Sequence, residues 1–273
     1  MFQQKRRQTQ FQAFTAMAEL LYHATVRNVR SSHGNAVIGL ILQIVQAMVM
    51  LAAFYFMFMI LGLRGMAIRG DFLLYLMSGI FLFLTHNKGL SSVLGAEGPT
   101  SAMMKHAPMN TAISIGASAL GGLYTSVLAM FTMMLIYHIV VSPIWMPHPV
   151  AAFGMLLLAW ASGCAIGMVF RALKPWVPGF VAVMSTFYQR ANMISSGKMF
   201  LANTLPSSML AMFDWNPLFH CIDQARGYAF VNYFPHNSSI SYPLKVTIVL
   251  LMIGLMGEFL ARKQMSLSWS ARR

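Results

Sequence analysis

Residues 194–230 read ISSGKMFLANTLPSSMLAMFDWNPLFHCIDQARGYAF, and this stretch decides how the chain must be understood. It is too apolar for an ordinary surface loop, and Pro206 and Pro217 interrupt it too often for one helix to cross a bilayer. It carries Asp214, His220, Asp223 and Arg226 in a chain with only 6 acidic residues. Broken backbone at membrane depth is tolerated only where protein buries it or a watery path runs past it. The segment therefore predicts re-entrant helices over about residues 197–230, and it points to transport rather than to anchoring.

Composition agrees with a membrane setting. The 273 residues are 58% hydrophobic and 9% charged, against roughly 25% charged in soluble domains. Six spans of roughly 20 residues would use about half the chain and leave no room for a soluble catalytic domain. The net charge of +13 does not indicate nucleic-acid binding, because the basic residues flank hydrophobic segments instead of forming a soluble basic surface. Cys164 and Cys221 read as small buried thiols. The opening MFQQKRRQTQFQ lacks the apolar core of a cleavable signal peptide.

Outward from the broken stretch, the expected fold is all-α. An arm and interfacial amphipathic helix occupy residues 1–36, with Phe11, Phe14, Ala18, Leu21 and Tyr22 on one helical face. The transmembrane domain follows over 37–273, with spans at about 37–63, 72–85, 111–141, 150–170, 176–194 and 244–260. Lys and Arg set the orientation. Lys5, Arg6, Arg7, Arg27, Arg30, Lys88, Lys105, Arg171, Lys174, Arg262, Lys263, Arg272 and Arg273 fall on one side when the N-terminus is inside, 13 of the 19 basic residues, so both termini are expected in the cytoplasm. Ser114, Ser118, Gly122 and Ser126, and likewise Gly163 and Gly167, recur four apart. Such stripes let helices approach closely, within the chain or between subunits.

No chemical engine is legible. GxxxxGK[ST] is absent, since Gly197-Lys198 has Asn192 where the first glycine belongs; HExxH and GxSxG are absent too. No histidine pair has metal-ligand spacing, so neither a catalytic residue nor a metal ligand is assigned. Arg190 and Glu258 lie near span ends, where snorkelling accounts for them. The driving force is therefore expected from a partner subunit. The connection from Asn87 to Asn110, bearing Glu97, Lys105 and His106, is the expected docking loop, being longer than the usual 2–8 residues between bundled helices; a plain solvated loop is the alternative. Asn216-Pro217 marks a helix start. On that helix His220, Asp223 and Arg226 recur every third residue, so Asp223 can pair with either neighbour. They form either a structural ion pair or the polar lining of an exit path. Phe187, Tyr188, Trp215, Tyr228 and Tyr233, with Phe54 and Tyr55 in the first span, form an aromatic belt or a surface for stacking on sugar rings.

Three motifs carry a resemblance. SSGKMFLANTLP followed by WNPLFHCIDQAR looks like an SG-x-x-F…LP…WNPL-x-H-x-x-E-x-x-R pattern, with Asp223 in the glutamate position. RNVRSSHGNAVIG looks like the approach to a first span; Arg27, Arg30, Gly34 and Gly39 agree, while Asn28, Leu42 and Ala47 depart from the usual acid, tryptophan and proline. MMKHAPMN is a looser match to the loop before a third span. In order along the chain, they resemble the membrane subunit (permease) of type-2 ABC exporters, in the branch that exports capsular polysaccharide and related glycans.

That resemblance implies a bacterial inner-membrane permease, not an enzyme, with two copies working beside two ATP-binding cassette subunits that hold the ATP and magnesium. The cargo would be a lipid-linked glycan, and periplasmic or outer-membrane export proteins could continue the path. Arg27 and Arg30 would meet an anionic substrate at the cytoplasmic entrance. Tyr55, Phe187, Tyr188, Arg190, His220, Asp223 and Arg226 would line the path; Glu97, Lys105 and His106 would contact the ATPase subunit. The same superfamily also offers exporters of lipids, drugs or teichoic-acid-like polymers. A glycan-processing membrane enzyme is the remote alternative, and the scattered acids argue against it.

Overall fold

The computed structural model describes residues 10–31, 36–62, 71–98 and 110–270. Among the described residues there are nine α-helices, one short 3-10 turn (Ala202–Thr204) and no strand: α1 (Gln10–Ser31), α2 (Ala36–Ile60), α3 (Phe72–Gly95), α4 (Thr111–Val140), α5 (Pro149–Leu173), α6 (Pro178–Ser195), α7 (Ser207–Phe213), α8 (Pro217–Ala229) and α9 (Ser241–Ser270). Four stretches are long and apolar enough to cross a membrane: Val37–Ile60, Thr111–Val140, Pro149–Leu173 and Ser241–Lys263. That is the signature of a membrane protein. The expected second and fifth spans do not meet the same measure. α3 carries Thr85, His86, Asn87 and Lys88 in its second half, and α6 carries Gln189, Arg190 and Asn192.

α3 is the central helix, packed against α4, α5 and α8. Asp71 starts it by accepting from the Leu73 amide at 3.0 Å. It was expected to stop near Thr85, but it continues to Gly95. α5 explains the extension. Arg171 donates to the Val93, Ala96 and Glu97 carbonyls, and Lys174 reaches Leu94 O at 3.5 Å. Cations on the last carbonyls satisfy acceptors that a helix end would otherwise leave open. Asn87 and Lys88 are therefore helical, not part of a docking loop.

The small residues in α5 allow that contact. A methyl on Gly163 would lie 2.1 Å from the His86 carbonyl oxygen, and one on Gly167 would lie 2.7 Å from that of Leu90. Backbone meets backbone here, with no room for a side chain between.

The serine stripe of α4 serves intrachain packing. Ser118 accepts from Asn28 of α1 at 3.0 Å, and Ser126 accepts from Gln43 of α2 at 2.8 Å. Ser114 donates to Glu97 O at 3.3 Å, while Gly122 makes room for Ser92. One face of α4 thus holds α1, α2 and the end of α3 together. α1 turns Phe11, Phe14 and Tyr22 outward, while Leu21 packs on Gly116. α2 also leaves an apolar face uncovered, including Ile41, Val45, Val49 and Phe56.

At the far end of α3, Glu258 of α9 is buried. Its carboxylate lies 3.5 Å from Arg171 and 3.6 Å from Arg262. The snorkelling reading therefore fails for Glu258, which is an interior partner; Arg190 is exposed. Cys164 and Cys221 are both free thiols.

Candidate functional site

The broken stretch turns back on itself between α6 and α9. At its start, Asn192 Nδ2 lies 3.3 Å from His86 Nε2, about 20 Å along α3 from its first residue at ~1.5 Å per residue. Gly197 then ends α6 with φ 74°, the left-handed conformation that glycine supplies just past a helix. A side chain there would also strike the Phe219 ring. The chain runs past Gly79 to Asn203, which donates to Phe234 O at 2.7 Å. α7 and Asp214–Trp215 return it to the starting level, where Asn216 Nδ2 donates to Asn192 Oδ1 at 2.7 Å.

α8 leaves from that level. The Asn216 side chain accepts from the Leu218 amide at 3.0 Å, and Pro217 takes the first turn, as the sequence predicts. At the other end, the His148 amide donates to Tyr228 O at 3.2 Å, beside the start of α5. Leu218, Cys221, Ile222 and Ala225 fill the core against α3 and α5. The helix is short, about 20 Å for its 13 residues.

Three polar side chains fix α8 to its neighbours. Arg226, 1% exposed, donates to the carbonyls of Gly197 and Phe200, both at 2.8 Å, and of Lys198 at 2.7 Å; its guanidinium stacks 4.2 Å over the Tyr75 ring. The planar fork suits such a cluster of acceptors. Asp223, three residues earlier on the helix, accepts from Tyr233 and, at 2.7 Å, from Ser238. Burial, reinforced by the Asp223 carboxylate, pushes the Tyr233 phenol above its usual range. His220 Nδ1 accepts from the Ser239 amide at 3.1 Å, so Nε2 carries the proton and donates to Asp214 O at 2.7 Å.

This arrangement corrects the expected pairing. Asp223 forms no ion pair with Arg226 or His220 among the described residues: Arg226 is taken up by the carbonyls of residues 197–200, while Asp223 and His220 bond Ser238 and Ser239 side by side. All three are buried within this one chain. They tie α8 to the segments before and after it and do not line an open surface.

A polar seam crosses the bundle at the turning point. His86, fully buried, places Nδ1 3.0 Å from Ala159 O. A carbonyl can only accept, so Nδ1 holds the proton and Nε2 accepts from Tyr188 at 3.1 Å and from Asn192. α3, α5, α6 and the cap of α8 thus meet in one hydrogen-bond chain. Tyr188 belongs to this seam. Lys198 lies close to the turn, 1% exposed. Its ammonium has no hydrogen-bond partner among the described residues and sits 3.6 Å over the Phe83 ring and 4.8 Å over that of Phe54.

The other expected site residues are not brought together. Arg27 and Arg30 are exposed on α1, near the end of α3, whereas Tyr55 is half-buried beside Phe72 at its start. Phe187 and Arg190 are exposed on α6. Glu97 points outward at the end of α3; Lys105 and His106 lie outside the described residues. No group of side chains suited to a metal ion occurs among the described residues. Sequence reasoning missed His86, Asn192 and Lys198. The signal available was polarity inside otherwise apolar helices, at Thr85-His86-Asn87 and Gln189-Arg190-Ala191-Asn192. No protein-family model matches the chain, and no curated protein matches it at a significant level.

Proposed function

We propose that this chain is the permease subunit of an ATP-driven exporter that moves a lipid-linked polysaccharide across a bacterial inner membrane, with ATP hydrolysed by a partner. In this reading α3 and α6 complete six spans, α1 lies on the cytoplasmic surface, and both termini are cytoplasmic. The observation that supports it is the short, buried helix α8. At about 20 Å, α8 is too short for a hydrocarbon core of ~30 Å, yet it is packed deep among α3, α5 and α9. Short helices entering and leaving one side of a bundle suit a transport path better than an anchor. Two such subunits would enclose the path between them, and the uncovered apolar face of α2 is available to lipid or to the second copy.

The test is reconstitution. Co-expressed with an ATP-binding cassette subunit, the chain should copurify with it and move a lipid-linked glycan into vesicles only when ATP is hydrolysed. Transfer by the purified chain alone without ATP, or a chain that copurifies with no ATPase, refutes the proposal.

A further inference from the structure

One polar recess remains open beside the helix contacts of α4. Two adjoining cavities, of about 250 and 290 Å³, share Gly39, Gln43, Lys88 and Ser91. The first lies between α1, α2, α3 and α4; the second continues between α2 and α3 toward Gln189 of α6. Together they reach the size of small-ligand sites, roughly 300–1,000 Å³. Their walls are unusually polar for a helical bundle, with Ser92 and Ser118 in one and Gln46 and Asn87 in the other.

Two groups in this recess lack partners. Among the described residues that line it, Lys88 is the one charged side chain, and no carboxylate faces it. No hydrogen bond or ion pair holds its ammonium among the described residues. The Asn87 side-chain oxygen is buried and accepts no hydrogen bond among the described residues. An uncompensated cation in a half-buried cleft favours an anion, and an orphaned acceptor favours a hydroxyl donor. The two groups are adjacent in sequence and line the same cavity, so one ligand that carries both functions can satisfy both.

We propose that this recess binds a hydroxylated oxyanion, a polyol phosphate ester, with Lys88 facing the phosphate and Asn87 accepting from a ligand hydroxyl. Such chemistry is found on a phosphatidylglycerol headgroup and on free glycerol phosphate. The inference is independent of the transport reading, because it concerns binding to this chain alone.

The full chain, purified into phosphatidylcholine nanodiscs, would be titrated with glycerol 3-phosphate and, by native mass spectrometry, with phosphatidylglycerol. Binding of either supports the site, and the one that binds identifies the source. Lys88→Gln should weaken binding about tenfold or more, Lys88→Arg should retain it, and Asn87→Leu should reduce the preference for glycerol phosphate over methyl phosphate. Ser91→Trp, placed at the exposed edge, fills the recess while keeping the charge, and should abolish binding with thermal stability unchanged. It keeps the proposal testable if Lys88→Gln fails to fold. Absence of binding by both probes overturns the proposal, as does undiminished binding by Lys88→Gln or by Ser91→Trp.

Discussion

Gly163→Ala should damage this protein far more than one methyl group suggests. The new carbon would lie 2.1 Å from the His86 carbonyl oxygen, 2.9 Å from its carbonyl carbon and 3.1 Å from its Cα. Ordinary carbon contacts need roughly 3.5–4.0 Å, so α5 and α3 must separate by more than an ångström. Both surfaces are backbone, and no rotamer change can relieve the clash. Overpacking costs about 1–3 kcal/mol where side chains can adjust, and more where they cannot. Separation would also stretch the His86–Ala159 hydrogen bond. Against this stands a helix-propensity gain of roughly 0.5–1 kcal/mol on replacing glycine with alanine. The net loss should be at least about 2 kcal/mol, a fall in Tm of roughly 4–8 °C for a chain of this size. Gly154, in the same helix, supplies the control, since nothing lies within 4 Å of its would-be methyl. Gly154→Ala should raise Tm by about 1–4 °C. Tryptophan-fluorescence melting of both variants in one detergent measures the difference. A Gly163→Ala protein as stable as Gly154→Ala would refute the backbone-on-backbone contact.

Three further outcomes are expected. Arg226→Ala strands three carbonyls and should cost about 3–5 kcal/mol, seen as lost membrane abundance; Arg226→Lys should not rescue it, because an ammonium cannot reproduce the fork, and normal abundance in both would contradict the role given to Arg226. Lys198→Met should raise the melting temperature, because desolvating an unpaired ammonium costs several kcal/mol while its ring contacts return about 2; a fall would show that the cation is required. A cysteine cross-linker at Glu97→Cys, exposed at the end of α3, should capture an ATP-binding subunit in the proposed complex, whereas capture at Phe187→Cys instead would place the docking face elsewhere.

Much of the architecture was legible because it rests on local chemistry. The apolar runs give four helices long enough to cross a membrane, and Asn216-Pro217 starts α8 through contacts within two residues. The serine stripe on α4 was readable as a packing face. What lay beyond the sequence depends on partners far along the chain. The segment HNKGLSS has the look of a loop, yet it is helical, because Arg171 and Lys174 of α5 close the end of α3 from more than seventy residues away. Spacing suggested that Asp223 could pair with a neighbour on its own helix, but Tyr233 and Ser238 compete for it successfully from the following loop. A one-dimensional pattern places residues on faces; it does not say what each face meets.

The closure of α3 by Arg171 has a mechanical consequence. Arg171 grips the last carbonyls of α3 while Glu258 grips Arg171, so the end of one helix and the body of another are joined in series through a third. A push applied at Glu97 cannot bend the last turn of α3 alone. It must either break the bonds of the buried Arg171 and Glu258 or move α5 and α9 with it. At that end of the molecule the three helices behave as one stiff strut, able to carry a force along its length without absorbing it.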